Sequence, residues 1–121
     1  RTGSGVAILS FGSMLGPALD AADALNATVV NMRFVKPLDV ELVLQLGREH
    51  TLLVTVEENV IQGGAGSAVA ECLQRHGMTN ALLQLGLPDS FLEQGETGKM
   101  LAACGLDAPG IAASIRQKMS L

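Results

Sequence analysis

Short apolar runs alternate with longer amphipathic segments along the whole chain. Residues 6–11 (VAILSF) form a continuous apolar run, which is typical of a strand buried on both faces of a parallel sheet. Shorter apolar runs follow at 28–32, 51–56 and 81–85, and the stretch between each pair is long enough for a helix. Because strands that alternate with helices form a parallel sheet covered by helices, this pattern predicts an α/β fold.

Capping residues mark the predicted helix boundaries. Asp39 is a good N-cap for a helix that runs to about Glu49. Gly77 is placed to end the following helix in a left-handed conformation. Pro109 is tolerated in the first turn of a last helix. The apolar face predicted for that last helix consists of Ile111, Ile115 and Met119.

The predicted order of elements is βαβαβαβ followed by two helices, at about 96–104 and from Pro109 onward. We therefore predict a three-layer, doubly wound, mostly parallel sheet of four to five strands with a helical C-terminal extension. Residues 1–5 are predicted to be a cut edge or an interdomain linker, and residues 6–121 a single domain.

The composition narrows the function classes. The chain has 121 residues, 48% of them hydrophobic and 17% charged, which suits one folded domain and argues against disorder. The formal net charge of −4 and the scattered basic residues argue against nucleic acid as the main partner. No apolar stretch is long enough to span a bilayer, and no signal-peptide pattern is present, so we expect a cytoplasmic protein without membrane contact.

A glycine-rich turn at residues 63–67 is the first candidate site. Gly63, Gly64, Gly66 and Ser67 precede or open a predicted helix, where several backbone N–H groups can point at an anion. The turn lacks the third glycine of a dinucleotide fingerprint, and it follows the third strand instead of the first. A tight turn at an interface is therefore favoured, while a standalone anion-binding or nucleotide-binding module stays open as an alternative.

Two adjacent carboxylates form the second candidate site. Glu57 and Glu58 follow a buried strand at its carboxyl end, where α/β proteins place their sites. Neighbouring residues on a strand point to opposite faces, which disfavours one acid/base pair. One of the two carboxyl groups could have a raised pKa and act as an acid. The favoured interpretation is an N-terminal contact to the nearby helix or a salt bridge with a neighbouring domain.

Arg33 and Lys36 flank Phe34 after the second predicted strand. Their charges suit a phosphate or an acidic partner, but a solvated loop or an interdomain salt bridge is the favoured interpretation. This pair is therefore a candidate for interdomain contact, and it is not assigned to catalysis.

The histidines and cysteines do not indicate a catalytic site. His50 precedes the third strand and His76 ends a helix, which are positions typical of capping or surface histidines. Cys72 and Cys104 lie among apolar neighbours and are predicted to be buried, reduced thiols. Cys72 and His76 alone are too few ligands for zinc, so no metal site is predicted. No cofactor site and no catalytic residue are predicted in this chain either.

Four sequence blocks in register resemble the C-terminal domain of the transketolase-like superfamily. Residues 32–39 (MRFVKPLD) resemble its "R-(F/W)-(V/I)-K-P-(L/I)-D" segment. Residues 54–59 (VTVEEN) and 63–67 (GGAGS) resemble its "V-T-x-E-E-N…G-G-x-G-S" block. Residues 85–91 (LGLPDSF), with Gly95 and residues 105–107, resemble the ending of deoxyxylulose-phosphate synthases within that superfamily.

The resemblance implies one domain of a larger enzyme that condenses pyruvate with glyceraldehyde 3-phosphate and releases carbon dioxide. It also implies roles in isoprenoid, thiamine and pyridoxal synthesis. In that family thiamine diphosphate and Mg²⁺ are bound by the two preceding domains, so this chain would support the site and a homodimer without carrying the reaction. A C-terminal domain of a 2-oxoacid dehydrogenase E1 β-subunit is the alternative, because those proteins share the middle blocks.

Overall fold

The computed structural model describes residues 1–32, 38–60, 64–87 and 105–120, without the side chains of Asn59, Val60 and Leu87. The helix predicted at about 96–104 lies outside these residues, as do Arg33, Lys36, Gly63 and Cys104. The described strands and helices, in chain order, are β1 (Gly5–Ser10), α1 (Leu15–Leu25), β2 (Thr28–Asn31), α2 (Val40–Glu49), β3 (His50–Val60), α3 (Ala65–Arg75), β4 (Ala81–Leu87) and α4 (Ala108–Met119).

The strands of the described residues form one parallel sheet in the order β2-β1-β3-β4. The chain moves outward from β1 to β2, and then crosses back to β3 on the other side of β1. Ala7 of β1 is consequently aligned with Thr28 of β2 on one side and with Leu53 of β3 on the other. The direction of winding reverses between β1 and β3, which confirms the predicted doubly wound α/β architecture.

Alternate residues along the strands supply two separate apolar cores, so the fold has three layers. Val6, Ile8 and Val54 pack with α1 and α4 on one face of the sheet. Ala7, Leu9 and Leu53 occupy the other face with α2 and α3. Helix α4 thus completes the layer begun by α1, through the buried side chains of Ile111 and Ile115.

Most predicted boundaries agree with the structure. The Asp39 carboxylate accepts a hydrogen bond from the Leu42 N–H group at 3.2 Å, and Gly77 has the left-handed φ of 70°. Strand β3 is longer than predicted, because it continues through Glu57 and Glu58 to Val60. The prediction for Met119 is wrong: its side chain lies in the last turn of α4 and is 57% exposed.

Candidate functional site

The predicted site residues that the structure describes lie at the carboxyl edge of the sheet. Glu57 and Glu58 lie towards the carboxyl end of β3, and Gly64 is the N-cap residue of α3. Gly66 and Ser67 occupy the first turn of that helix. The edge lies beside the reversal point between β1 and β3, where doubly wound proteins bind ligands.

Glu57 caps α3 from inside the protein. Its side chain is only 2% exposed, and its Oε2 atom accepts a hydrogen bond from the Ala65 N–H group at 2.6 Å. The backbone N–H group of Gly66 donates to the same carboxylate. Since the N-cap residue Gly64 has no side chain to perform this role, the carboxylate of Glu57 satisfies donors that a helix start leaves unpaired.

This contact confirms the favoured interpretation of Glu57 as an N-terminal contact to the nearby helix. It also changes the interpretation of the glycine-rich turn. The first N–H groups of α3 are those that would bind a phosphate or another external anion. Because the Glu57 carboxylate already accepts from Ala65 and Gly66, the chain supplies its own anion at this position.

The pKa of Glu57 is raised above its ordinary value of 4.5. Burial is the larger cause, because removal of the carboxylate from water disfavours its charged form. The hydrogen bonds from the Ala65 and Gly66 N–H groups favour the charged form and lower the pKa, but they do not outweigh the burial. The folded chain therefore holds a proton at Glu57 more tightly than the unfolded chain does.

We expect this group to make the chain less stable as the pH rises. The stability that Glu57 contributes is fully present below pH 4.5, its ordinary pKa, and is lost as the pH rises through the raised folded pKa. In the Glu57→Gln variant this contribution is absent. Urea unfolding of both proteins between pH 4.5 and pH 8 should show the difference in unfolding free energy changing with pH and then levelling off. Parallel pH profiles for the two proteins would contradict a raised pKa of Glu57 in the folded chain.

A buried polar pair that the sequence pattern does not reveal lies beneath the first turn of α3. Thr55 and Gln84 are aligned partners in β3 and β4, and Thr55 is 1% exposed. Among the described residues, neither Thr55 Oγ1 nor Gln84 Oε1 has a hydrogen-bond partner. A Cβ atom placed on Gly66 would lie 2.6 Å from the first oxygen and 2.7 Å from the second.

Gly66 is therefore required by close packing of α3 against β3 and β4. Its φ angle is not in the left-handed region, so backbone strain does not explain the glycine. The only available signal was the pair of polar residues at alternate positions of an apolar strand, since Thr55 and Glu57 face the same side of β3. That signal does not reveal which helix residue lies above them.

Glu58 has a different partner from Glu57, as the strand alternation predicted. Its Oε2 atom accepts a hydrogen bond from the hydroxyl group of Ser13. Ser13 belongs to the short 3₁₀ turn Gly12–Met14 that links β1 to α1. The contact joins the carboxyl ends of β1 and β3, and Glu58 remains half-buried at the surface of the carboxyl edge.

The two histidines and Cys72 have structural roles. The prediction of a capping role for His50 is confirmed, because its Nδ1 atom lies 2.9 Å from the Leu46 carbonyl oxygen at the end of α2. It is not a surface residue, since it is only 8% exposed. His76 Nδ1 lies 2.9 Å from the backbone carbonyl oxygen of Cys72. Burial raises the pKa of the Cys72 thiol, so the group stays protonated and weakly reactive.

Metal-ligand clusters and membrane-spanning helices are both absent from the part of the chain that the structure describes. No group of three or more His, Cys, Asp or Glu side chains is arranged to hold a metal ion within residues 1–32, 38–60, 64–87 and 105–120. None of the helices in the same ranges is both long enough and apolar enough to cross a bilayer.

Comparison with known proteins gives consistent results along the chain. The family described as "Transketolase, C-terminal domain" matches residues 1–111. The 1-deoxy-D-xylulose-5-phosphate synthase of Nitrosomonas eutropha is 62% identical over 121 residues, which is 100% of this chain and 20% of that protein. The synthase of Methylobacillus flagellatus is 60% identical over 120 residues, covering 99% of this chain and 20% of that protein.

A solved structure extends the comparison to three dimensions. It is described as "Split gene transketolase, inactive beta4 tetramer", and it is 34% identical with a TM-score of 0.88. The match covers 100% of this chain and 40% of that protein chain. The chain thus spans about a fifth of the length of the synthases that it matches.

Proposed function

The chain belongs to the transketolase C-terminal domain family, and from this premise we propose that it is the C-terminal domain of a 1-deoxy-D-xylulose-5-phosphate synthase. The observation that carries the proposal is the 62% identity to such a synthase over all 121 residues. The whole enzyme would condense pyruvate with glyceraldehyde 3-phosphate, with loss of carbon dioxide, as a transferase of isoprenoid and thiamine synthesis.

We assign this domain to assembly and not to catalysis. Thiamine diphosphate needs N–H donors or cations around its diphosphate, and the glycine-rich turn is the described segment most similar to such a cradle. Its donors at Ala65 and Gly66 already bind Glu57, so these residues do not fit the cofactor. We therefore expect thiamine diphosphate and Mg²⁺ to bind the preceding domains of the enzyme.

The alternatives receive less support. A domain of a 2-oxoacid dehydrogenase E1 β-subunit shares the fold, but relatives at 57% to 62% identity along nearly the whole chain are named as synthases. A standalone anion-binding module requires free N–H donors at the start of α3. The internal carboxylate of Glu57 argues against that use of the turn.

The partners that we propose are the preceding cofactor-binding domains and a second copy of the enzyme, in the cytoplasm. We place the interdomain contact at the carboxyl edge of the sheet, where Glu58 and the turn at residues 64–67 lie. Arg33 and Lys36 lie outside the described residues and remain candidates for the same contact.

Turnover measurements test the assignment. We expect the pure 121-residue chain to form no deoxyxylulose phosphate at saturating thiamine diphosphate, Mg²⁺ and both substrates, whereas the full-length enzyme is active. Removal of these 121 residues from the full-length enzyme should reduce both its activity and its dimerisation, because an interdomain surface is lost. Turnover by the isolated chain, or an unchanged truncated enzyme, would refute the assembly role.

Charge reversal at Glu58 tests the location of the contact. In the full-length enzyme, Glu58→Lys should weaken dimerisation or lower kcat/KM by about tenfold, which corresponds to roughly 1.4 kcal/mol for one lost interface charge. Asp20→Lys is the matched control, because it makes the same charge change at an exposed position of α1. If the two variants behave alike in sedimentation and in kinetics, the contact does not lie at this edge.

A further inference from the structure

The first four residues, which we call the leading segment, lie against the outer side of β2. The backbone nitrogen of Arg1 donates to the Val29 carbonyl oxygen at 3.4 Å, and the Val29 N–H group donates to the Arg1 carbonyl oxygen at 3.0 Å. The Arg1 guanidinium donates to the Ala27 carbonyl oxygen at 2.7 Å, and the Ser4 N–H group to Asn26 at 3.0 Å. The path of this segment is thus set by hydrogen bonds on both sides of Gly3.

Gly3 lies where the leading segment comes closest to the body of the domain. A Cβ atom on Gly3 would lie 2.2 Å from the backbone carbonyl oxygen of Asn26, a distance that no side chain can occupy. The N–H group of Gly3 donates to Thr28 Oγ1 at 2.9 Å. Since Thr28 is 8% exposed, this hydrogen bond connects the segment to a buried hydroxyl group.

That hydroxyl group is held in turn by His50. The distance between Thr28 Oγ1 and His50 Nε2 is 2.8 Å, and the two residues are 22 positions apart in sequence. The other ring nitrogen, Nδ1, lies 2.9 Å from the Leu46 carbonyl oxygen. The backbone of His50 is also fixed, because the Asn80 side-chain amide donates to its carbonyl oxygen at 2.7 Å.

Only one arrangement of protons satisfies all of these contacts with a neutral imidazole. A carbonyl oxygen can only accept, so His50 Nδ1 must carry the proton that is donated to Leu46. Nε2 is then an acceptor, and the Thr28 hydroxyl donates to it. The lone pairs of that hydroxyl remain free to accept the Gly3 N–H group. The donors run in one direction from Gly3, through Thr28 and His50, to the end of α2.

We propose that His50 is a positioning residue for the leading segment, and that it thereby sets the direction in which the chain that precedes Arg1 joins this domain. The inference rests on the proposed function, in which cofactor-binding domains come before this one. It adds to that proposal a specific point at which the preceding chain is attached to this domain. This point lies at the amino ends of β2 and β3, away from the carboxyl edge.

Two substitutions at His50 separate its two hydrogen bonds. In His50→Asn the amide nitrogen takes the place of Nδ1, so the bond to Leu46 remains and the acceptor for Thr28 is lost. In His50→Gln the amide oxygen takes the place of Nε2, so the acceptor for Thr28 remains and the bond to Leu46 is lost. Thr28→Val removes the shared hydroxyl group with little change of volume.

Amide hydrogen exchange of the 121-residue chain is the first readout. We expect exchange at Gly3 and Ser4 to accelerate by about tenfold or more in His50→Asn and in Thr28→Val, and to remain near the original rate in His50→Gln. Unchanged protection of Gly3 in the first two variants would overturn the proposal. Equal acceleration in His50→Gln would also overturn it, because a purely structural role of His50 predicts that result.

Three further measurements extend the test, and the first two leave His50 unchanged. Nitrogen-15 NMR of the unsubstituted chain should show the neutral His50 ring protonated at Nδ1, and a ring protonated only at Nε2 would contradict the donor order. Gly3→Ala should release the leading segment while the Thr28–His50 contact stays. In the full-length enzyme, Gly3→Ala and His50→Asn should broaden the distribution of interdomain distances that small-angle X-ray scattering measures. These exchange and NMR results hold even if the enzyme has another activity, so the two proposals can fail separately.

Discussion

Replacing Glu57 by alanine is expected to lower the free energy of unfolding by about 3 kcal/mol, since buried N–H donors are left unpaired and a cavity remains. The carboxylate is 2% exposed and accepts from the Ala65 N–H group at 2.6 Å and from the Gly66 N–H group. Water has little access to this site, so it does not readily replace the carboxylate as the hydrogen-bond acceptor. The start of α3 is therefore the part of the chain that should loosen first.

Glu57→Gln is the control for this prediction, because the amide oxygen still accepts from the same backbone donors. We expect it to stay within about 1 kcal/mol of the original chain at neutral pH. Urea unfolding measures both variants, and amide exchange at Ala65 and Gly66 locates the change. Equal stabilities of Glu57→Ala and Glu57→Gln would show that the carboxylate does not cap the helix.

Replacing Gly66 by alanine is expected to cost about 2 kcal/mol, which is typical of overpacking a close contact. The new methyl group would lie 2.6 Å from Thr55 Oγ1 and 2.7 Å from Gln84 Oε1. Gln84 can move its flexible end, but Thr55 is a β-branched residue on a central strand and 1% exposed. Helix α3 must then rise from the sheet, which also strains the contact between Glu57 and the helix start.

Gly16→Ala provides a matched control for this substitution. Gly16 is the second residue of α1 as Gly66 is the second residue of α3. Among the described residues, however, no atom outside its chain neighbours and its own helix backbone lies within 4 Å of the position of its Cβ. Alanine at Gly16 should leave stability unchanged or raise it by up to about 1 kcal/mol, because alanine favours helix. The double variant Gly66→Ala with Thr55→Ala should recover part of the loss. Destabilisation of equal size at both glycines would contradict the packing explanation.

The glycine-rich turn illustrates why a motif needs its tertiary surroundings. By its residue types, the segment resembles an anion-binding loop at a helix start. In the structure, the donors of Ala65 and Gly66 bind Glu57, and Gly66 itself is required by the contact with Thr55 and Gln84. The turn therefore serves the internal packing of this domain, which is consistent with the assembly role that we propose.

The sequence by itself determined the features that depend on neighbouring positions. The apolar runs predicted the parallel strands, and the caps at Asp39 and Gly77 were correct because capping involves only the adjacent turn. The alternation of side-chain direction along a strand was sufficient to predict that Glu57 and Glu58 point to opposite faces of the sheet. The four motif blocks added the family, which the match to residues 1–111 supports.

Only the tertiary structure decided which of these groups meet. The contacts of Thr28 with His50, of Gly66 with Thr55 and Gln84, and of Glu57 with the start of α3 depend on strand order and on the height of each helix above the sheet. Periodicity assigns a residue to a face, but it does not specify the residue that packs opposite. For this reason the sequence predicted two carboxylates at a sheet edge, whereas the fold made one of them an internal cap and left the other at the surface.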